Sequence, residues 1–344
     1  KWFCDHSQPV NRSDGHSDVP PESCAEAERA NCVAKKYWPS LKSYMHAHLR
    51  VANDTAQKER GDGLPDFWTW GDWCAVESRA VCTPGTGRQA AAMNFLLALQ
   101  AMVRLGDALG FAEDAADFNR TLCTLGPVYN AAFWDESAGT WLGLGSSMME
   151  LQTLTAISLA IGADVGLPKE RRTRALQALH DDVAVRGFHL TVGSVGQKWL
   201  LHVLSQGGFH DTALRLALQE SQPSWGHWIA QGATTCWENW SGVADASHPP
   251  TPTHNHIFLC GGVGSWLSAS VAGMTPTTPG WETVSIKPKV SASLGPSSVT
   301  ASVMTVRGLV ESNWTRGPLP DVQVKWSSLT VVCRSVCQCL SPPV

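Results

Sequence analysis

Apolar residues recur at three- and four-residue spacing near residues 24–36, 39–57, 86–109, 112–132, 147–163, 168–186, 194–207, 210–221 and 260–272, which predicts a helix in each stretch. The stretch 86–109 shows the period best. Met93, Leu96, Leu97, Met102 and Leu105 share one side, and Leu109 followed by Gly110 is a helix stop signal. Connections between helices are tight near 110, 165 and 208. They are mostly long at 58–85, 133–146, 187–193 and 222–259, where Trp, Asp, Glu, His and Gly collect. In a ring of helical hairpins every second connection emerges at the same end, so the richer loops are expected to converge on one mouth.

After Gly273 the composition turns to Thr, Pro, Ser and Val, and alternation at Thr283 to Pro288, Ser298 to Val306 and Val322 to Val332 predicts a small antiparallel β-sandwich. The organisation expected is therefore a divergent Cys-containing segment at 1–36, a helical domain at 37–273, the β-sandwich at 274–332 and a Cys/Pro tail at 333–344. A closed ring of six hairpins needs twelve helices and the pattern supplies nine, so the rest of the ring is expected upstream. The polar start, Lys1 to Asn11, and the lack of an initiating Met read as a piece of a longer protein.

Composition narrows the class. The chain has 344 residues, 43% of them hydrophobic, enough for a substantial core. A net charge of -4 with no basic stripe argues against nucleic acid and anionic membrane surfaces as partners, and no run of 18 apolar residues reads as a membrane span. Eleven cysteines and sequons at Asn11, Asn53, Asn119, Asn239 and Asn313 point to a secreted glycoprotein from an oxidising compartment. Cys74 with Cys82 and Cys24 with Cys32 are the local disulfide candidates. Sixteen tryptophans against three tyrosines raise the question of sugar stacking, since an indole face suits the apolar side of a pyranose, although core packing uses the same residue.

Four stretches could carry chemistry. Pro223-Ser-Trp-Gly-His-Trp-Ile-Ala-Gln-Gly-Ala-Thr-Thr-Cys-Trp-Glu-Asn-Trp240 sets Glu238 between Trp237 and Trp240. Desolvation among the rings is expected to raise its pKa and suit it to accept a proton, the alternative being a helix-capping carboxylate. Thr253-His-Asn-His256 offers imidazoles and an amide that can fork onto sugar hydroxyls. Zinc binding by His254 and His256 is the weaker reading, for no further ligand stands at the right spacing. Trp68-Thr-Trp-Gly-Asp-Trp73 supplies Asp72 to accept sugar hydroxyls and Trp73 or Trp70 to stack, unless Asp72 caps a helix. In Trp134-Asp-Glu-Ser-Ala-Gly-Thr-Trp141, Asp135 and Glu136 read as a solvated turn and Trp141 as a possible wall.

Taken in order, Tyr37-Trp-Pro-Ser-Leu-Lys42, Gly71-Asp-Trp73, Gly187-Phe-His-Leu-Thr-Val-Gly-Ser-Val-Gly196, Pro223-Ser-Trp-Gly226, Gly232-Ala-Thr-Thr-Cys-Trp-Glu-Asn-Trp240, His254-Asn-His256 and Pro279-Gly-Trp through Ile286-Lys-Pro288 resemble the α-L-rhamnosidases of glycoside hydrolase family 78. The resemblance implies a mainly α fold, an (α/α)6 barrel incomplete at its N-terminal side, followed by the β-sandwich. It implies inverting hydrolysis of terminal α-L-rhamnosides, in which an acid protonates the leaving oxygen and a base roughly 6.5 to 9.5 Å away activates water. Glu238 stands at the base position, and Asp72, Trp73, Trp141, Trp237 and His256 are the implied substrate-binding residues. The partner is a rhamnose-containing carbohydrate, and the chemistry needs neither a metal nor an organic cofactor. The family's acid segment, reading like Asp-Glu-Arg-x-Gly-Trp-x-Gly-Asp, has no match in this chain, so little activity is expected of it alone. A non-catalytic sugar-binding relative and a helical-barrel glycosidase for another sugar are the competing readings.

Overall fold

The computed structural model describes residues 24–59, 62–66, 69, 71–76, 88–142, 150–162, 167–242, 253–317 and 324–331. Cys82, Trp68, Trp70, Asn11 and the tail 333–344 lie outside the described residues, as do the side chains of Cys24, Cys32 and Asn53.

The first helix, α1 (Cys24–Glu59), runs through Pro39 and so joins what the sequence divides into two helices. Pro39 is exposed, so the carbonyl that its missing N–H leaves free can turn to water. Its neighbour Trp38 points the other way, stacks on Phe111 at 4.9 Å and donates its indole N–H to Asp114 at 2.8 Å. The next pair, α2 (Arg88–Leu109) and α3 (Ala112–Phe133), packs lengthwise at a tight approach. A Cβ on Gly106 would come within 3.0 Å of both Ala115 and Trp38. By length and composition α2 could cross a membrane, yet most of it is buried inside the protein, as a core helix is.

A short hairpin, β1 (Trp134–Asp135) with β2 (Thr140–Trp141), leads to α4 (Leu151–Gly162), α5 (Lys169–Val185), α6 (Gln197–Gln206), α7 (His210–Ala217), the short α8 (Trp225–Ala230) and α9 (Gly261–Trp266). Helices α2, α4, α6 and α9 touch in that order, while α3, α5 and α7 pack behind α2, α4 and α6. This is an inner and an outer layer of helical hairpins. The inner position of α4 explains its lack of a polar face: Leu154, Ile157, Leu159 and Ile161 are buried, and so are Gln152, Thr153, Thr155 and Ser158.

The last turn of α9 widens into a π-turn at Leu267–Val271 before the chain becomes extended. β3 (Met274–Pro276) pairs with β4 (Val284–Ile286), and β5 (Ser298–Thr305), β6 (Gly308–Arg316) and β7 (Val324–Val331) form a three-stranded antiparallel sheet in that order. Met274, Val284 and Val310 make a small core with Ala272, Val299, Ala301 and Val303. β6, absent from the sequence reading, fastens this unit to the helices. Trp314 donates to the Val271 carbonyl at 3.1 Å and Ser312 to that of Ala272 at 2.8 Å.

The junction turns on Gly273, at φ +80°, where a Cβ would sit 2.2 Å from the Pro288 nitrogen. Gly110 has a similar φ of +82° but open space around it. Gly110→Ala is therefore expected to cost only the left-handed strain of about 1–2 kcal/mol. Gly273→Ala should cost clearly more, because backbone must move; urea denaturation of the two variants side by side checks the difference.

Candidate active site

Three segments distant in sequence meet beside the inner helices. After α8, residues 236–238 lie against 253–256. Glu238 N–H donates to the Thr253 carbonyl at 2.9 Å and His256 N–H to that of Cys236 at 2.7 Å. A disulfide between Cys236 and Cys260 ties the same two segments, a pairing the spacing of the cysteines did not suggest. Trp237 is buried, whereas its neighbour Glu238 is half-buried.

The tryptophans around Glu238 are core pegs. Trp228 stacks on Trp240 at 4.8 Å, Trp225 meets Trp240 edge-on, and each ring N–H finds a carbonyl: Trp225 that of Leu259, Trp228 that of Trp240, Trp240 that of Val192. Trp237 is 7% exposed, with His254 stacked on it at 4.5 Å. Gly242, at φ +67°, lies so close that any Cβ there would strike the indole. As a sugar wall Trp237 is thus covered. Trp141, expected as a wall, is fully buried, bonded to Asn130 at 3.1 Å and packed edge-on against Trp134. Only the turn reading of Asp135 and Glu136 fits, with Glu136 exposed and paired to Arg174 at 2.6 Å.

Asp72, expected to accept sugar hydroxyls, is buried as well. It is 6% exposed, and its carboxylate accepts the backbone N–H groups of Gly193 at 2.7 Å, Val195 at 2.7 Å and Gly196 at 3.0 Å, together with the Thr153 hydroxyl. Burial raises its pKa, and the Thr153 and backbone hydrogen bonds pull against that rise. Its lone pairs are spent on the turn that starts α6, a capping role performed across the fold, and none is offered to a sugar. The same contact places Trp73. Ser194 N–H donates to the Trp73 carbonyl at 2.8 Å, and Gly193 must be glycine because a Cβ would lie 2.3 Å from that oxygen.

The Glu238 carboxylate accepts the Thr253 N–H at 3.0 Å. Burial pushes its pKa up, as the sequence suggested, but the Thr253 N–H, the polar hydrogens of the nearby Thr253 and Trp73 side chains and the charge of His256 outweigh burial and leave it below the ordinary glutamate value. The expectation of a raised pKa is reversed, because desolvation is only partial while the donors favour the ionised form. His256 turns its ring edge to Phe258 at 4.9 Å, and its Nδ1 is buried with no hydrogen-bond partner among the described residues. His254 bonds instead to the Gly242 carbonyl at 3.0 Å, so the two imidazoles do not converge as zinc ligands. No metal-binding group of three His, Cys, Asp or Glu exists among the described residues.

Sequence reasoning missed Thr253 as a partner of Glu238, although it opens the Thr-His-Asn-His stretch. It missed Gln197 too, which joins α6 to the turn before α9 through Phe258 O at 2.5 Å and Gly262 N–H at 3.0 Å. A cavity of about 750 Å³ lies apart from the glutamate, between α7, α8 and α9 and lined chiefly by Trp225, Trp228, Ile229, Val263, Trp266 and Leu267.

Paired helical layers with polar connections gathered around one half-buried glutamate define the helical-hairpin class of glycosidase fold. Residues 29–271 match the bacterial alpha-L-rhamnosidase 6 hairpin glycosidase domain and residues 273–327 the bacterial alpha-L-rhamnosidase C-terminal domain, and the chain belongs to this family. It is 27% identical over 293 residues to an alpha-L-rhamnosidase of Alteromonas sp. (strain LOR), covering 82% of this chain and 30% of that protein. An alpha-L-rhamnosidase of Streptomyces avermitilis is 33% identical over 150 residues, 43% of this chain and 14% of its own length. Among solved structures, the Streptomyces avermitilis alpha-L-rhamnosidase complexed with L-rhamnose superposes with a TM-score of 0.68 at 24% identity, over 83% of this chain and 26% of that one. The alpha-L-rhamnosidase from Dictyoglumus thermophilum gives 0.71 at 24% identity, over 83% and 30%. The chain thus spans less than a third of the length of these relatives.

Asp72→Ala tests the structural assignment. It leaves three backbone N–H groups without their acceptor at about 1–3 kcal/mol each, so chemical denaturation should show most of the chain's stability gone. Were Asp72 a sugar ligand, stability would hold and only L-rhamnose binding would fall.

Proposed function

We propose that this chain carries the base side of an inverting α-L-rhamnosidase site, with Glu238 as general base and His256 as a ligand for the terminal sugar. The observation that carries the reading is the half-buried Glu238 carboxylate, which accepts the Thr253 N–H at 3.0 Å at the edge of a tryptophan core, on a segment paired with His256, whose Nδ1 has no hydrogen-bond partner among the described residues. Family membership and relatives named alpha-L-rhamnosidase support the sugar. In the reaction Glu238 takes a proton from water as the water oxygen bonds to the anomeric carbon. The bond from that carbon to the leaving oxygen breaks, and a general acid protonates the departing group. We assign no residue of this chain to that acid. The substrate is a rhamnose-containing glycoside or polysaccharide, and a secreted site of action fits the eleven cysteines, the Cys236–Cys260 bond and the sequons.

In protein that hydrolyses an aryl α-L-rhamnoside, Glu238→Gln should lower kcat by about 10²- to 10⁴-fold while calorimetric titration still detects L-rhamnose. Undiminished hydrolysis would remove Glu238 from the chemistry, and a preference for glucose would overturn the choice of sugar. Sugar binding with no hydrolysis in any length of the protein would favour the non-catalytic relative.

The pH dependence follows from the direction of the shift. A base works only when deprotonated, and the folded pKa of Glu238 lies below its ordinary value of 4.5. The acidic limb of kcat/KM should accordingly fall below pH 4.5, activity being lost as pH drops through the depressed pKa.

A further inference from the structure

We propose that Gln197 is a positioning residue for the sugar site, clasping the turn beside His256 to the start of α6. The proposal rests on the reading of His256 as a ligand for the terminal sugar. A ligand carried on a connecting turn recognises a hydroxyl only if its backbone is held, since a displacement of about 1 Å is enough to spoil the contact. On one side His256 is fixed by its own N–H, which donates to the Cys236 carbonyl at 2.7 Å. On the other its ring turns its edge to Phe258 at 4.9 Å, and Gln197 holds the Phe258 backbone. The Gln197 amide donates to the Phe258 carbonyl at 2.5 Å, and its oxygen accepts the Gly262 N–H at 3.0 Å, one of the donors that the first turn of a helix leaves without an intrahelical partner. Gly262 admits the side chain, for a Cβ there would lie 2.5 Å from both Gln197 oxygens. Gln197 itself is buried and follows Gly196, whose N–H is held by Asp72.

The same clasp is made one hairpin earlier. Gln152, at the start of α4, donates to Asp182 at 3.0 Å and to the His189 carbonyl at 3.2 Å, and accepts the Thr191 N–H at 2.9 Å. It thereby holds the loop that leads into α6. Each of the two glutamines opens an inner helix, is buried, and secures the connection into the inner helix that follows. Gln89 is buried at the corresponding place in α2, and its amide has no hydrogen-bond partner among the described residues. The Gln197 clasp closes on the turn beside His256, whereas the Gln152 clasp closes on residues 189–191. Two contacts of like chemistry thus differ in whether they adjoin the sugar ligand.

Gln197→Leu keeps the bulk and deletes both bonds; Gln152→Leu does the same to the other clasp. The readout is calorimetric titration of the folded full chain with L-rhamnose, with His256→Ala alongside. Gln197→Leu should weaken binding about tenfold and Gln152→Leu less than about threefold. In protein active on an aryl rhamnoside, Gln197→Leu should raise KM about tenfold and change kcat less than about threefold. Phe258→Ala, at a position 59% exposed, removes the ring through which the clasp reaches His256. It should weaken binding too, with little further loss when combined with Gln197→Leu. Equal losses in the two glutamine variants would mark both as contacts of the fold alone and overturn the proposal, as would unchanged binding in Gln197→Leu. If either glutamine variant does not fold, Phe258→Ala decides, since undiminished binding there refutes the clasp. Retained binding in His256→Ala would discard the reading of His256 and the clasp with it. Binding lost in His256→Ala but kept in Gln197→Leu would leave that reading standing and discard the clasp alone.

Discussion

The Asp72 carboxylate is the contact on which the site depends. A buried anion is tolerated only where donors replace the water it has lost, and here three backbone N–H groups from residues 193–196 and one hydroxyl from α4 do so. Each of those donors belongs to an element that must be in register for the others to work. The start of α6, the inner helix α4 and the segment carrying Trp73 are locked as one piece. Trp73 follows Asp72 directly, and its carbonyl is held by the same turn through Ser194 N–H at 2.8 Å.

Much of the fold was legible because its signals are local. The 3.6-residue period located the helices, and in α2, α3 and α5 it came close to both ends. It divided α1 at Pro39, where local chemistry forecasts a break and an exposed position removes the penalty. It overlooked β6, because one inward position is occupied by Ser312. That hydroxyl is buried with its own acceptor, so a polar letter stands where the alternation requires an apolar one.

The site was less legible, and the reason is physical. Asp, Trp and Gly in a loop look the same whether they bind a ligand or one another. The backbone partners of Asp72 lie more than 120 residues away in sequence and Thr153 lies 81 away, and nothing in the local pattern announces them. Trp141 and Trp237 are buried here for a related reason: an indole is large and apolar with a single donor, so it fills a core as readily as it lines a cleft. For Glu238 the neighbouring rings were visible in sequence. The donors that reverse the effect of those rings on its acidity were not.

The Cys236–Cys260 bond makes a covalent ring of the stretch that contains both Glu238 and His256, 24 residues from end to end. Within such a ring the entropy of bringing the two strands together is largely spent while the chain is still unfolded. Lengthening or rewriting the interior of the ring during evolution then costs the pairing at its base little. The stretch between Glu238 and His256 can diverge while the pairing that sets these two residues on neighbouring segments keeps its shape.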